Sequence, residues 1–165
     1  MKRVGHWLLA WLMAVISTSV LGSVVQSQLN LARIVALGGP VTIDARLSTT
    51  WHDLVHFAPA FAALVATGFL IAFPVVALIV RKAPRARVFW HALAGATAIA
   101  TALLLMQYLL GLQPVAAARD AFGLAALAVC GAIGGWVQAG FSARPAAESD
   151  ATDEPWAVAR SRTGP

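Results

Sequence analysis

An all-α integral membrane protein, a four-transmembrane-helix bundle with both termini inside, is the fold class this sequence predicts. Three observations predict it. Hydrophobic residues make up 59% of the chain and charged residues 12%, where a soluble domain carries about 25% charge, and the mean hydropathy is +0.76. Four apolar runs reach or exceed the roughly 20 residues that cross a bilayer core, at residues 7–27, 55–80, 88–112 and 120–141. The cations gather in short clusters at the ends of these runs, which is how topology signals are distributed. The formal charge of +5 therefore does not form the continuous basic stripe of a nucleic-acid-binding face, and no nucleic acid partner is expected.

The first run opens with "MKRVGHWLLAWLMAVI", which has the charged and apolar regions of a secretory signal. A clean A-x-A site near Gly22 or Ser23 is missing, so residues 1–22 are expected to stay as a membrane helix. Ser19, Ser23, Gln26, Asn30 and Arg33 follow at spacings that place all five on one helical face. That continuity extends the helix to Leu37, a rod of roughly 45 Å from Trp7. Its stop is written in "LGGP", with Gly38 as a left-handed cap and Pro40 barring continuation.

In "VTIDARLS", residues 41–48, Val41, Ile43, Ala45 and Leu47 alternate with polar residues. A period of two predicts a short extended arm packed over the outer helix ends. Thr50 and Asp53 then resemble a capping box, so the second helix is expected to begin near Trp51. Pro59 and Pro74 lie inside it and free the carbonyls of Val55 and Leu70. Between the second and third runs, Arg81, Lys82, Arg85 and Arg87 form the strongest cytoplasmic signal in the chain. With Lys2 and Arg3 in agreement, the expected location is the cell inner membrane, multi-pass.

The third run carries Gln107 about one turn below the outer surface, where an amide needs a partner on another helix. The fourth contains Gly131 and Gly135 as a GxxxG, a close-packing face within the bundle or against a second copy. Residues 1–142 then form the membrane domain. Residues 143–165 are polar and mixed in charge, and read as a disordered cytoplasmic tail.

Functional signals are sparse, and they concentrate on the outer half. His52 and His56 stand four apart with Asp53 between them, the i, i+4 geometry that lets two imidazoles share a metal. "HDLVH" departs from the H-E-x-x-H pattern of zinc proteases at its base, because Asp53 is one methylene shorter than glutamate, and a third ligand is not evident. An interfacial cap anchored by Trp51 accounts for the same residues. Bis-histidine haem would need His6 and His91 to meet, and both sit beside tryptophan and basic residues as belt positions do. Cys130 is the only cysteine, which excludes an intrachain disulfide and a CxxC motif. No carboxylate or cation falls in the middle of a span, which argues against an ion-coupled transporter.

The reading is a non-catalytic accessory or assembly protein that packs against another membrane protein or itself, with a polar outward surface. The alternatives are a metal-, haem- or small-ligand-binding protein and, behind it, a small transporter. The candidate ligand-binding set is His52, Asp53, His56, Gln26, Asn30, Arg33 and Gln107, with His52 and His56 as the weak metal candidates. No cofactor is assigned. The expected partners are the lipid bilayer and a membrane protein or second copy meeting the Gly131/Gly135 face.

Overall fold

The computed structural model describes residues 2–81, 84–110 and 115–142. Four long helices account for nearly all of them: α1 Lys2–Ala36, α2 Ile43–Val80, α3 Arg87–Leu110 and α4 Ala121–Phe141. Each is long and apolar enough to cross a membrane, so the chain is an all-helical, multi-pass membrane protein in its architecture. Short 3-10 turns at Pro84–Ala86 and Ala116–Arg119 precede α3 and α4. The expected tail, residues 143–165, lies outside the described residues.

Packing follows chain order: α1 lies against α2 and α4, and α3 against α2 and α4. The spine of the core is α2, whose Phe61, Val65, Phe69 and Phe73 recur every fourth residue and are almost fully buried. Ala14 and Val15 of α1, Ile99 and Leu103 of α3 and Leu127 of α4 close around them, with Val115 and Ala117 completing the cluster. Leu8, Leu12, Ile71, Val75, Leu104 and Val129 point outward and exposed. Thr18, Ser23, Ser27 and Gln138 are fully enclosed. Apolar groups outside and polar groups within suit a bundle solvated by lipid, where buried polar side chains can bond across helices.

The first helix runs as far as its polar stripe implies. It ends in a Schellman cap: Gly38 has φ +84°, its amide donates to the Val35 carbonyl, and the Gly39 amide donates to Ile34. The extended arm is not found. Residues 43–50 are the first turns of α2, and among the described residues there is no strand. Thr42 is the actual cap, its hydroxyl accepting from the Ala45 amide at 3.2 Å, with Asp44 in the first turn. Thr50 is a mid-helix residue whose hydroxyl donates to the Arg46 carbonyl at 2.8 Å. A local cap and its favourable charge outweigh an alternation that had no second strand to pair with. The helix then passes Pro59 and Pro74 without a break.

The tightest approach is between α3 and α4. A Cβ on Gly131 or Gly135 would collide with the carbonyl oxygens of Gly95 or His91, and one on Gly95 would collide with Gly131. The Gly131/Gly135 face is thus occupied inside the chain and is not presented to a second copy. Gly134 beside it makes room for Thr18 of α1, whose hydroxyl donates to the Cys130 carbonyl at 3.4 Å.

Candidate functional site

Polar residues form three groups at the end of the bundle where α1 turns into α2. The first joins α1 to α2. Ser27 donates to an Asp53 carboxylate oxygen at 2.6 Å and lies 3.0 Å from the Ser23 carbonyl. One turn farther out, Gln28 Nε2 donates to the Thr50 hydroxyl at 3.0 Å while Arg46 donates back to Gln28 Oε1 at 3.1 Å. Two apolar helices are therefore pinned in register by polar groups whose geometry fixes which turn meets which.

The second group ties α1 to the entry of α4. The Arg33 guanidinium donates to the Ala116 carbonyl and to Asp120 Oδ2, each at 2.6 Å, and to the Ala117 carbonyl at 3.2 Å. Asp120 is also the cap of α4, accepting from the Gly123 amide at 2.7 Å. That amide, with the Arg33 guanidinium second, holds its carboxyl below the ordinary carboxylate range.

The third group is the histidine pair. His52 and His56 stack with ring centroids 4.3 Å apart, and His56 Nδ1 donates to the His52 carbonyl at 3.0 Å. Both rings are exposed, and His52 stands 4.0 Å from Asp53. Among the described residues no three His, Cys, Asp or Glu side chains are placed to hold one metal ion.

Gln26 is buried on α1, its Oε1 without a protein partner, and Asn30 is half-buried one turn outward. Gln107 is exposed on α3 and makes no side-chain hydrogen bond among the described residues, so the partner helix expected for it is not found. The stripe from Ser19 to Arg33 thus lies along the interior and on the α4 side. Asp53 meets α1 through Ser27, and the histidines stay at the surface. His6 is exposed near the start of α1, whereas His91 is buried on α3, its Nδ1 donating to the Arg87 carbonyl at 2.9 Å.

Several polar residues escaped the sequence reading. Ser27 and Gln28 lie just off the α1 stripe that drew attention, and Arg46 lay in the segment read as an extended arm. Gln138 is fully buried in α4 with neither amide atom partnered by protein. A lone amide in an apolar run was the available signal for it.

A separate concavity lies along the helices. Between α2 and α3 runs an open groove of about 810 Å³, floored by small side chains that include Ala63, Thr67 and Gly68 of α2 and Ala98, Thr101 and Ala102 of α3. The approach of α2 to α3 is loose at Gly68, where an added Cβ would still stand 3.7 Å from the Ala98 side chain. No protein-family model, curated protein or solved structure matches the chain.

Proposed function

We propose that this protein is a non-catalytic accessory subunit of the inner membrane that seats a transmembrane helix of another membrane protein in the groove between α2 and α3. The groove carries the reading. Its floor is built from small and hydroxyl-bearing residues on both helices, the composition that lets a third helix approach closely and hydrogen-bond across. Its apolar rim, with Ile71, Leu105 and Leu109, matches the surface such a helix presents. The orientation belongs to the same proposal: both termini inside and the α1–α2 turn outside, supported by the four cations from Arg81 to Arg87.

The test places a photo-crosslinking amino acid at Thr101, with an exposed position on α4, Val129, as the lipid-facing control. The expected result is one discrete protein adduct from Thr101, none from Val129, and loss of the adduct when Ala63→Trp fills the groove. Adducts with lipid alone, or equal adducts from both positions, would overturn the reading.

A further inference from the structure

The end of the bundle opposite the polar seams has a charge problem of its own. Arg81, Lys82, Arg85 and Arg87 fall within seven residues, while the sequence between Asp53 and Asp120 contains no aspartate or glutamate. Arg81 and Arg85 are exposed, and the ion pairs among the described residues all involve other groups. Helix α3 begins at Arg87 with no acidic residue in its first turn, so its free amides and positive dipole end add to the same field. Arg87 is half-buried and donates to the Ser142 hydroxyl at 2.6 Å. That bond ties the start of α3 to the end of α4.

Immediately beside this tie lies a second furrow, of about 300 Å³, bounded by Val88, Trp136, Val137, Gly140 and Phe141. Val88 follows Arg87 in sequence, so the furrow opens at the level of the cations and continues along apolar side chains toward the membrane interior. A cationic mouth on an apolar trough is complementary to a molecule with an anionic head and a hydrocarbon tail. We propose that this end of the bundle binds one anionic phospholipid, its phosphate against Arg85 and Arg87 and one acyl chain in the furrow between α3 and α4. Arginine suits the head because its planar fork donates two parallel bonds to phosphate oxygens. Trp136 supplies a flat wall for the chain, and Gly140 leaves the trough open.

The glycine also supplies the decisive variant. A Cβ at Gly140 meets nothing within 4 Å, so Gly140→Leu fills the trough without disturbing the helices around it. Native mass spectrometry of the full chain, released from micelles holding equal phosphatidylglycerol and phosphatidylcholine, reads the preference directly. The intact protein is expected to retain a single phosphatidylglycerol, about tenfold over phosphatidylcholine. Arg85→Gln should abolish the preference. Gly140→Leu should lower retention of the lipid about tenfold, and Arg46→Gln at the far end should change neither. Equal retention of the two lipids by the intact protein would overturn the proposal. So would undiminished phosphatidylglycerol binding by a folded Gly140→Leu variant, since that outcome assigns the effect to diffuse charge alone.

Discussion

Replacing Gly135 by alanine tests the closest contact in the bundle. The added methyl would overlap the His91 carbonyl oxygen and come within 2.9 Å of the Ala92 Cα. Both obstacles are backbone, so no rotamer change relieves them, and α3 and α4 must part by about 1 Å. A gap of that size forfeits a quarter to a half of the attraction between atoms in contact. It is also shared by Gly95 and Gly131 on the same interface. The cost belongs at or above the top of the usual range for overpacking, about 1–3 kcal/mol. Alanine returns about 0.8–1.0 kcal/mol through its better helix propensity. Gly140→Ala receives the same return and meets nothing within 4 Å, which makes it the control. The two variants should therefore differ by about 2–3 kcal/mol, a factor of about 30 to 100 or more in the folded ratio. Reversible unfolding of the purified protein in mixed micelles, followed by tryptophan fluorescence, measures this difference. Equal stability of the two variants would refute the packing argument, because it would mean that the helices are not in backbone contact at Gly135.

Gly38→Ala should destabilise the turn between α1 and α2 by about 1–2 kcal/mol, because alanine resists the left-handed conformation there; an unchanged unfolding midpoint would count against the cap. Asp53→Ala removes the acceptor that Ser27 meets and should cost about 1 kcal/mol, whereas His56→Ala on an exposed ring should stay within about 0.5 kcal/mol; the same titration compares them. Asp120 gives a pH signature: its folded carboxyl is held below the ordinary value by the Gly123 amide and Arg33, so its contribution is fully present at neutral pH. It is lost as the pH falls through the folded value, so the stability gap between the intact protein and Asp120→Asn should close in acid. A gap that persists unchanged into acid would remove the carboxylate from the account. In a Cys130→Ser background, a cysteine at Thr42 should react with an impermeant thiol reagent in intact cells and one at Ala83 should not; the reverse pattern would invert the orientation.

The four spans were legible because apolar run length is a direct physical requirement of a bilayer. The length of α1 was legible because five polar residues shared one face and a glycine marked the stop. The start of α2 was misread for a specific reason. Alternation in Val41, Ile43, Ala45 and Leu47 satisfies a period of two, yet Ile43, Leu47, Trp51 and Val55 also recur every fourth residue, and all four lie exposed while Arg46, Thr50 and Asp53 turn toward α1. Over eight residues the two periods compete, and the cap at Thr42 decides between them. Thr50 and Asp53 look like a cap in isolation and act as interhelical contacts in the fold. Gly131 and Gly135 announce close packing, but a single chain's small residues do not specify whose backbone approaches. Only Gly95 on α3, itself small, hinted at the answer. The groove between α2 and α3 left no motif, because alanine and threonine are ordinary residues in any membrane helix.

The uneven tightness of the bundle bears on where a partner could act. Backbone contact at Gly95, Gly131 and Gly135 welds α3 to α4, and Thr18 beside Gly134 brings α1 onto the same unit. Ser27, Asp53, Gln28, Thr50 and Arg46 then fix α2 to α1 near the turn that joins them. What remains is the seam between α2 and α3, where Gly68 leaves room for a side chain beside Ala98 and an open groove runs between the helices. A helix entering there displaces lipid tails rather than protein contacts, so it need not disturb the phenylalanine spine behind the groove. Had the same small residues lain between α3 and α4, occupancy would have required prising apart the best-packed interface in the molecule. The proposed arrangement thus favours binding at α2 and α3 without a change in fold, and it explains why filling the groove from Ala63, an exposed residue of its lining, is the perturbation that separates partner binding from stability.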